Sequence, residues 1–262
     1  MRKIFFALSL LIGSVVASNS YAAIQLTLFA PTDATALITD WDGIGAAVDD
    51  IDPVVGSIVV VSKTVGAYTF AVNATQSSTT GLLTIQNSSV LTITGATSGK
   101  VGILASTSGA PTSAVMPTLI QSNADVSYAS GSNRSTAAVS YASYVDTTNV
   151  LSTVTNVGGV VMAVPGGTLV DSGSGSIDSP IANPNSGWVA SGNSVQNYGG
   201  SPVAMNLLVL ADFSTAATGS GAVVHKIQLN GSMQLSPVPE PTSMTVWALS
   251  GLLGLVVRRR WS

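Results

Sequence analysis

Apolar and polar residues alternate with a period of two along most of the chain between residues 23 and 237, the spacing of a strand with one buried face. "AIQLTLF" sets Ile24, Leu26 and Leu28 against Gln25 and Thr27. "SIVVVSKTVGAYTFAVNA" is β-branched and aromatic, with Gly66 placed for a turn or bulge. "GLLTIQNSSVLTITG" reads as two strands about Asn87 and Ser88, the second alternating Leu91 and Ile93 with Thr92 and Thr94. "VSYAS" occurs at 126–130 and again at 139–143 around a Gly-Ser-Asn-rich stretch, which predicts a hairpin. "GGVVMAVPGGTLVDSG", "AMNLLVLADF" and "AVVHKIQLNGSMQLS" supply further strands. The stretch from Pro180 to Pro202 is rich in Pro, Gly, Asn and Ser and predicts a long loop.

One segment breaks the alternation. From Ala34, apolar residues fall at Leu37, Ile38, Trp41, Ile44 and Val48, the spacing of a helix face. Thr32 and Asp33 suit its start, and Gly43 and Gly45 weaken its second half. Many short strands with polar turns predict an all-β fold, an antiparallel β-sandwich of jelly-roll-like form. A parallel β-helix is the alternative, but it requires a fixed repeat period, and the sequence has none.

The two ends differ from the body. Arg2 and Lys3 precede the apolar run Ile4 to Ala17, and "SNSYA" follows with Ser20 and Ala22 at the −3 and −1 positions of a cleavage site. Residues 1–22 therefore read as a secretory signal helix, cut after Ala22. At the other end Thr242 to Val257 carries no charge and is followed by Arg258, Arg259 and Arg260. As a helix it rises about 24 Å at ~1.5 Å per residue. That is marginal against a bilayer core of about 30 Å. Basic residues at its end stay on the cytoplasmic side, so residues 23–237 form an ectodomain outside.

Composition narrows the chemistry. Charged residues are 8% of the chain and hydrophobic ones 46%, against about 25% charged in ordinary globular proteins. Between the two ends, Lys63, Lys100, Arg134 and Lys226 face eleven Asp, a balance of −7. An acidic body without basic clusters argues against a nucleic-acid partner. Cysteine is absent, which removes disulfides, thiolate metal sites and a lipoprotein cysteine together.

Val238, Pro239, Glu240 and Pro241 stand directly before the apolar tail, and Glu240 is the only Glu in the chain. The two prolines keep this motif extended. Extended motif, short apolar helix and arginine cluster in that order resemble the PEP-CTERM sorting signal of Gram-negative bacteria, a segment also called the ice-binding protein C-terminal domain. The resemblance covers residues 238–262, with the transmembrane helix at 242–257. It implies recognition, and in due course processing, by an exosortase after export by the secretion machinery. It implies a membrane-anchored precursor, then a place on the cell surface or in an exopolysaccharide matrix.

The body offers little catalytic chemistry. The single histidine, His225, shares parity with Ile227 and Leu229 on a predicted strand, the place of a core residue rather than a catalytic base. No nucleophile elbow, phosphate loop or dinucleotide glycine pattern is present. Asp40, Asp42, Asp49, Asp50 and Asp52 cluster within "DWDGIGAAVDDID" and are calcium candidates, without the spacing of an EF-hand loop. Only Thr92 and Thr94 form a T-x-T pair in strand context, too little for an ice lattice. Trp41, Trp188, Tyr128, Tyr141, Tyr144 and Tyr198 are candidates for stacking on sugars. The expectation is a non-enzymatic surface or matrix protein without a cofactor. A glycan- or calcium-binding adhesin is the alternative, and a polysaccharide-acting enzyme comes after it.

Overall fold

The computed structural model describes residues 23–31, 34–40, 49–77, 81–86, 93–114, 116–129, 136–152, 156–157, 160–161, 167–178, 187–216 and 224–238. Among the described residues the regular elements are all strands. The expected signal helix at 1–22 and the expected transmembrane helix at 242–257 lie outside them.

The first sheet has six strands. From edge to edge they are β12 (Thr168–Ile177), β9 (Ala137–Asp146), β14 (Val203–Phe213), β7 (Gly99–Ala110), β1 (Ile24–Phe29) and β2 (Thr35–Thr39). The second sheet runs β13 (Gly187–Gln196), β8 (Thr118–Tyr128), β15 (His225–Pro237), β5 (Leu82–Gln86), β4 (Tyr68–Ser77) and β3 (Ser57–Val65). The short β6 (Ile93–Gly95) continues the lane of β5 between β15 and β4. A separate small ladder joins β10 (Asn156–Val157) to β11 (Val160–Val161). Among the described residues every ladder is antiparallel, so the body is not a parallel β-helix.

The two sheets share one core, and the period-two pattern builds it. Ile24, Leu26 and Leu28 point inward from β1, Val101, Ile103 and Ala105 from β7, and Met205, Leu207, Val209 and Ala211 from β14. Opposite them stand Phe70 and Val72 of β4 and Ile227, Leu229, Met233 and Leu235 of β15. Each large aliphatic side chain fully buried in this way contributes about 1.5–3 kcal/mol of transfer free energy. Strands that follow one another in sequence face each other across the core: β8 opposite β9, β12 opposite β13 and β14 opposite β15.

Several expectations change here. Thr35–Thr39 is strand, not the start of a helix: it pairs with β1 from Gln25↔Thr39 to Phe29↔Thr35, and Leu37 is 52% exposed beside Ile38 at 2%. The helical spacing mixed this strand's two faces with residues 41–48, which lie outside the described residues. The two "VSYAS" segments do not form a hairpin, because β8 and β9 belong to different sheets. The two strands expected about Asn87 and Ser88 are β5 and β6, which share one lane against β15. The expected loop from Pro180 to Pro202 contains β13, ten residues in unbroken register with β8. Gly66 fills the predicted turn between β3 and β4, at φ +57°.

The outer face of the first sheet is also buried at its centre. Phe29, Leu104 and Leu208 form a second apolar cluster there, flanked by Tyr144 and Leu210. Ser106 Oγ donates to Asn206 Oδ1 at 2.5 Å and accepts from the Ser152 N–H at 2.9 Å. The chain after β9 thus folds back over this face, and β1 is buried on both sides.

Candidate functional site

The chain enters and leaves the sandwich at one end. The Ala23 carbonyl accepts from the Ser108 N–H at 3.1 Å, and Ile24 opens β1 beside Thr107. β15 closes at Pro237 opposite Thr118, and the Val238 N–H donates to the Pro117 carbonyl at 2.8 Å. The connection from β7 to β8 links these two points, so both mark the same, proximal end. A cavity of about 420 Å³ opens beside this exit, between Pro111, Thr112 and Ser113 on one side and Gln234, Leu235 and Pro237 on the other. Thr112 Oγ1 donates to the Ser201 carbonyl, and Ser113 Oγ accepts from the Met116 N–H, which fastens the connection. Its lining carries no charge, so it offers shape and hydroxyls rather than acid–base chemistry.

Of the expected sorting residues, Val238 is described and half-buried against this end. Pro239, Glu240, Pro241, Arg258, Arg259 and Arg260 lie outside the described residues, as do Ser20 and Ala22.

The acidic cluster sits at the proximal end too, since the Asp40 N–H donates to the Ile24 carbonyl. Its carboxylates are engaged with the protein itself. Asp40 Oδ2 accepts from the Gly56 N–H at 2.6 Å, and Asp50 Oδ1 accepts from Asp52 and Val59 N–H groups at 3.0 and 2.9 Å. Asp52 Oδ1 accepts from the Val54 N–H, and Asp49 pairs with Lys63 Nζ at 2.7 Å. These are loop-fastening bonds: Asp40, Asp50 and Asp52 each accept from backbone N–H groups, and Asp49 holds a lysine of β3. Among the described residues no three metal-ligating side chains converge. Asp42 lies outside them.

His225 is far from this end and fully buried. Its ring stacks on Phe213, with centroids 3.9 Å apart and planes 14° from parallel. Nε2 lies 3.2 Å from the Thr215 carbonyl, and a carbonyl only accepts, so Nε2 carries the proton. Burial holds the imidazole pKa below its ordinary value, with the Thr215 bond opposing more weakly. A neutral histidine held this way is a core residue, as its strand parity indicates.

A polar cluster that the sequence did not announce lies between β9, β12 and β13. Tyr141 donates its hydroxyl to Asp171 Oδ2, and the Trp188 ring leans on Tyr141 at 6.0 Å and 49°. Ser122 and Ser143 hydrogen-bond at 2.8 Å beneath them. Burial raises the Tyr141 pKa, and the Asp171 carboxylate raises it further, so the phenol stays neutral and donating. Glycines make the room. A Cβ on Gly173 would stand 2.7 Å from Tyr141 Cε1, and one on Gly175 would enter the Trp188 indole. The available signal was the alternation in "SGSGS", which puts a glycine at every second position. One carboxylate bonded to one phenol is a hydrogen-bonding pair that ties β9 to β12.

The aromatic candidates do not form an exposed row. Tyr141 is buried, and Trp188, Tyr128, Tyr144 and Tyr198 are half-buried, with Trp188, Tyr128 and Tyr198 packed against the core. Desolvation pushes the Tyr198 pKa up to about 12. Trp41 lies outside the described residues. No protein-family model matches the chain, and no curated protein matches it.

Proposed function

We propose that this chain is an exported, non-enzymatic protein of the cell surface or exopolysaccharide matrix, sorted by an exosortase through Val238-Pro239-Glu240-Pro241. In this reading residues 1–22 are removed after Ala22. Residues 242–257 halt the chain in the inner membrane with Arg258, Arg259 and Arg260 inside, and the motif is presented just outside for recognition. The carrying observation is the position of the fold's two limits. The first sheet begins at Ile24, directly after the signal, and the second ends at Pro237, directly before the motif. Both limits lie at one end of the sandwich, so a body hung from the membrane would stand on that end.

The strand order adds a finer reading of the body. From β6 onward, without β10 and β11, the lanes β13-β8-β15-β6 and β12-β9-β14-β7 follow jelly-roll order. Jelly rolls serve in capsids and lectins as well as in enzymes, so the fold itself favours no ligand. The glycan reading draws no support from half-buried aromatics, nor the calcium reading from carboxylates already engaged by backbone donors.

Glu240→Ala tests the sorting step. The span still inserts, so the precursor is expected to accumulate uncut in the inner membrane. Arrival of this variant at the surface at wild-type size and yield would show that the motif is only a linker.

A further inference from the structure

The two large sheets end in four edge strands, β2 and β12 in one and β3 and β13 in the other. An edge presents unpaired backbone N–H and C=O groups and accepts another strand unless it is short, charged, bulged or broken by proline. Three of the edges carry such a block. β2 is five residues long. β3 carries Lys63 and a register shift between Val60 and Lys63. β12 carries Asp171 and a register shift between Leu169 and Asp171. β13 has none: ten residues without charge or proline, in continuous register from Gly187↔Ser127 to Gln196↔Thr118. Among the described residues its one ladder partner is β8. Its outer face bears Val189 at 73% and Val195 at 56% exposure, and Val189 is the most exposed large apolar residue described.

We propose that β13 is a self-association edge, on which a second copy of this chain adds its own β13 antiparallel about a two-fold axis through Gly192. Side chains alternate between faces, so antiparallel pairing aligns the outer faces only when paired residues share parity. Centring on Gly192 satisfies this and sets Val189 opposite Val195 of the second copy, and Val195 opposite its Val189. Centring on Ser191 or Asn193 would leave each valine without a valine partner. Ser191 then meets Asn193 across the axis, polar against polar, and no like charges face each other because the strand has none. The pairing uses the same edge on both copies and therefore closes at a dimer rather than growing into a fibre. It also leaves the proximal end free, since β13 lies along a flank of the sandwich. The proposal does not depend on the sorting reading.

Charge exchange at the two valines tests both the dimer and its register, read by sedimentation equilibrium of the purified full chain in density-matched detergent. Wild type is expected to dimerise. Val189→Lys with Val195→Lys places like charges opposite each other twice and is expected to weaken dimerisation about tenfold or more. Val189→Lys with Val195→Asp places opposite charges in the same positions and restores it. Both residues are exposed, so unchanged circular dichroism separates lost pairing from lost fold. The chain has no cysteine, so a mixture of Ser191→Cys and Asn193→Cys chains reports the register directly. A disulfide is expected in the mixture and not in either chain alone, because cross-strand partners lie within the usual disulfide span of about 4.4–6.8 Å. A wild-type chain that sediments as a monomer throughout, or a doubly lysine-substituted chain that dimerises as well as wild type, overturns the proposal.

Discussion

The central lanes of the sandwich and its β12/β13 flank solve the same packing problem with opposite residues. In the centre the inward rows of β1, β7, β14 and β15 are mainly Leu, Ile, Val and Met, with few small residues such as Ala105 and Ala211. At the flank the inward positions of β12 and β13 include Gly173, Gly175, Ala190 and Gly192, and the space is filled by Tyr141 and Trp188 lying across them. The centre is held by many aliphatic groups meeting midway. The flank is held by two rings and one carboxylate against bare backbone. A serine- and glycine-rich strand is therefore not a weak strand here; its small residues are the space into which aromatic neighbours fit.

That contrast predicts opposite sensitivities. The centre fails by subtraction: Leu207→Ala, at a fully buried site, is expected to lose ~2–5 kcal/mol in chemical denaturation. The flank fails by addition: Gly175→Val is expected to lose ~1–3 kcal/mol by overpacking against Trp188. Combining it with Trp188→Ala should give a smaller loss than the two single changes added together, because the residues touch. If Gly175→Val is neutral alone, the close packing of the flank is wrong. Tyr141→Phe removes only the hydroxyl bonded to Asp171, so about 1 kcal/mol is expected.

Protonation is the gentlest probe, since one proton is at stake. The folded His225 pKa is lowered by burial, so the unfolded chain takes up that proton first. Stability is then full above the ordinary imidazole pKa of about 6.5 and falls as the pH drops from there toward the folded value. Melting curves between about pH 8 and pH 5 should show this decline, and His225→Gln should flatten it. Val54→Ala, at an exposed loop site, should leave stability almost unmoved, within about 0.5 kcal/mol in the same melting curves.

The legibility of the sequence divides along the same line. Where inward rows are aliphatic, the strands were visible directly, by period-two alternation in "AIQLTLF" and as a short apolar run in "AMNLLVLADF". Where they are glycine and serine, the same alternation is invisible to hydropathy, and "GWVASGNSVQ" passed for a loop. Strand partners were less legible than strands. "VSYAS" and its repeat look like a hairpin because nothing local records that the chain between them crosses to the other sheet. Leu37 and Ile38 suggested a helix because two adjacent apolar residues on opposite faces of a strand mimic helical spacing. At the candidate site, the clustering of Asp40, Asp49, Asp50 and Asp52 was legible, but their employment was not. Which backbone N–H each carboxylate would meet depends on where β2 ends and β3 begins. The Tyr141–Asp171 pair joins residues of different strands, and no spacing in either strand announces it.

Intact-mass measurement of the protein recovered from the cell surface tests the central proposal most directly, because it reads both ends of the chain at once. The expected mature chain begins at Ala23 and has lost Arg258, Arg259 and Arg260, so its mass falls below the 26.4 kDa of the full chain at both ends. A surface protein that keeps Arg2 and Lys3, or that still carries the three terminal arginines, contradicts export by a cleaved signal in the first case and exosortase processing in the second.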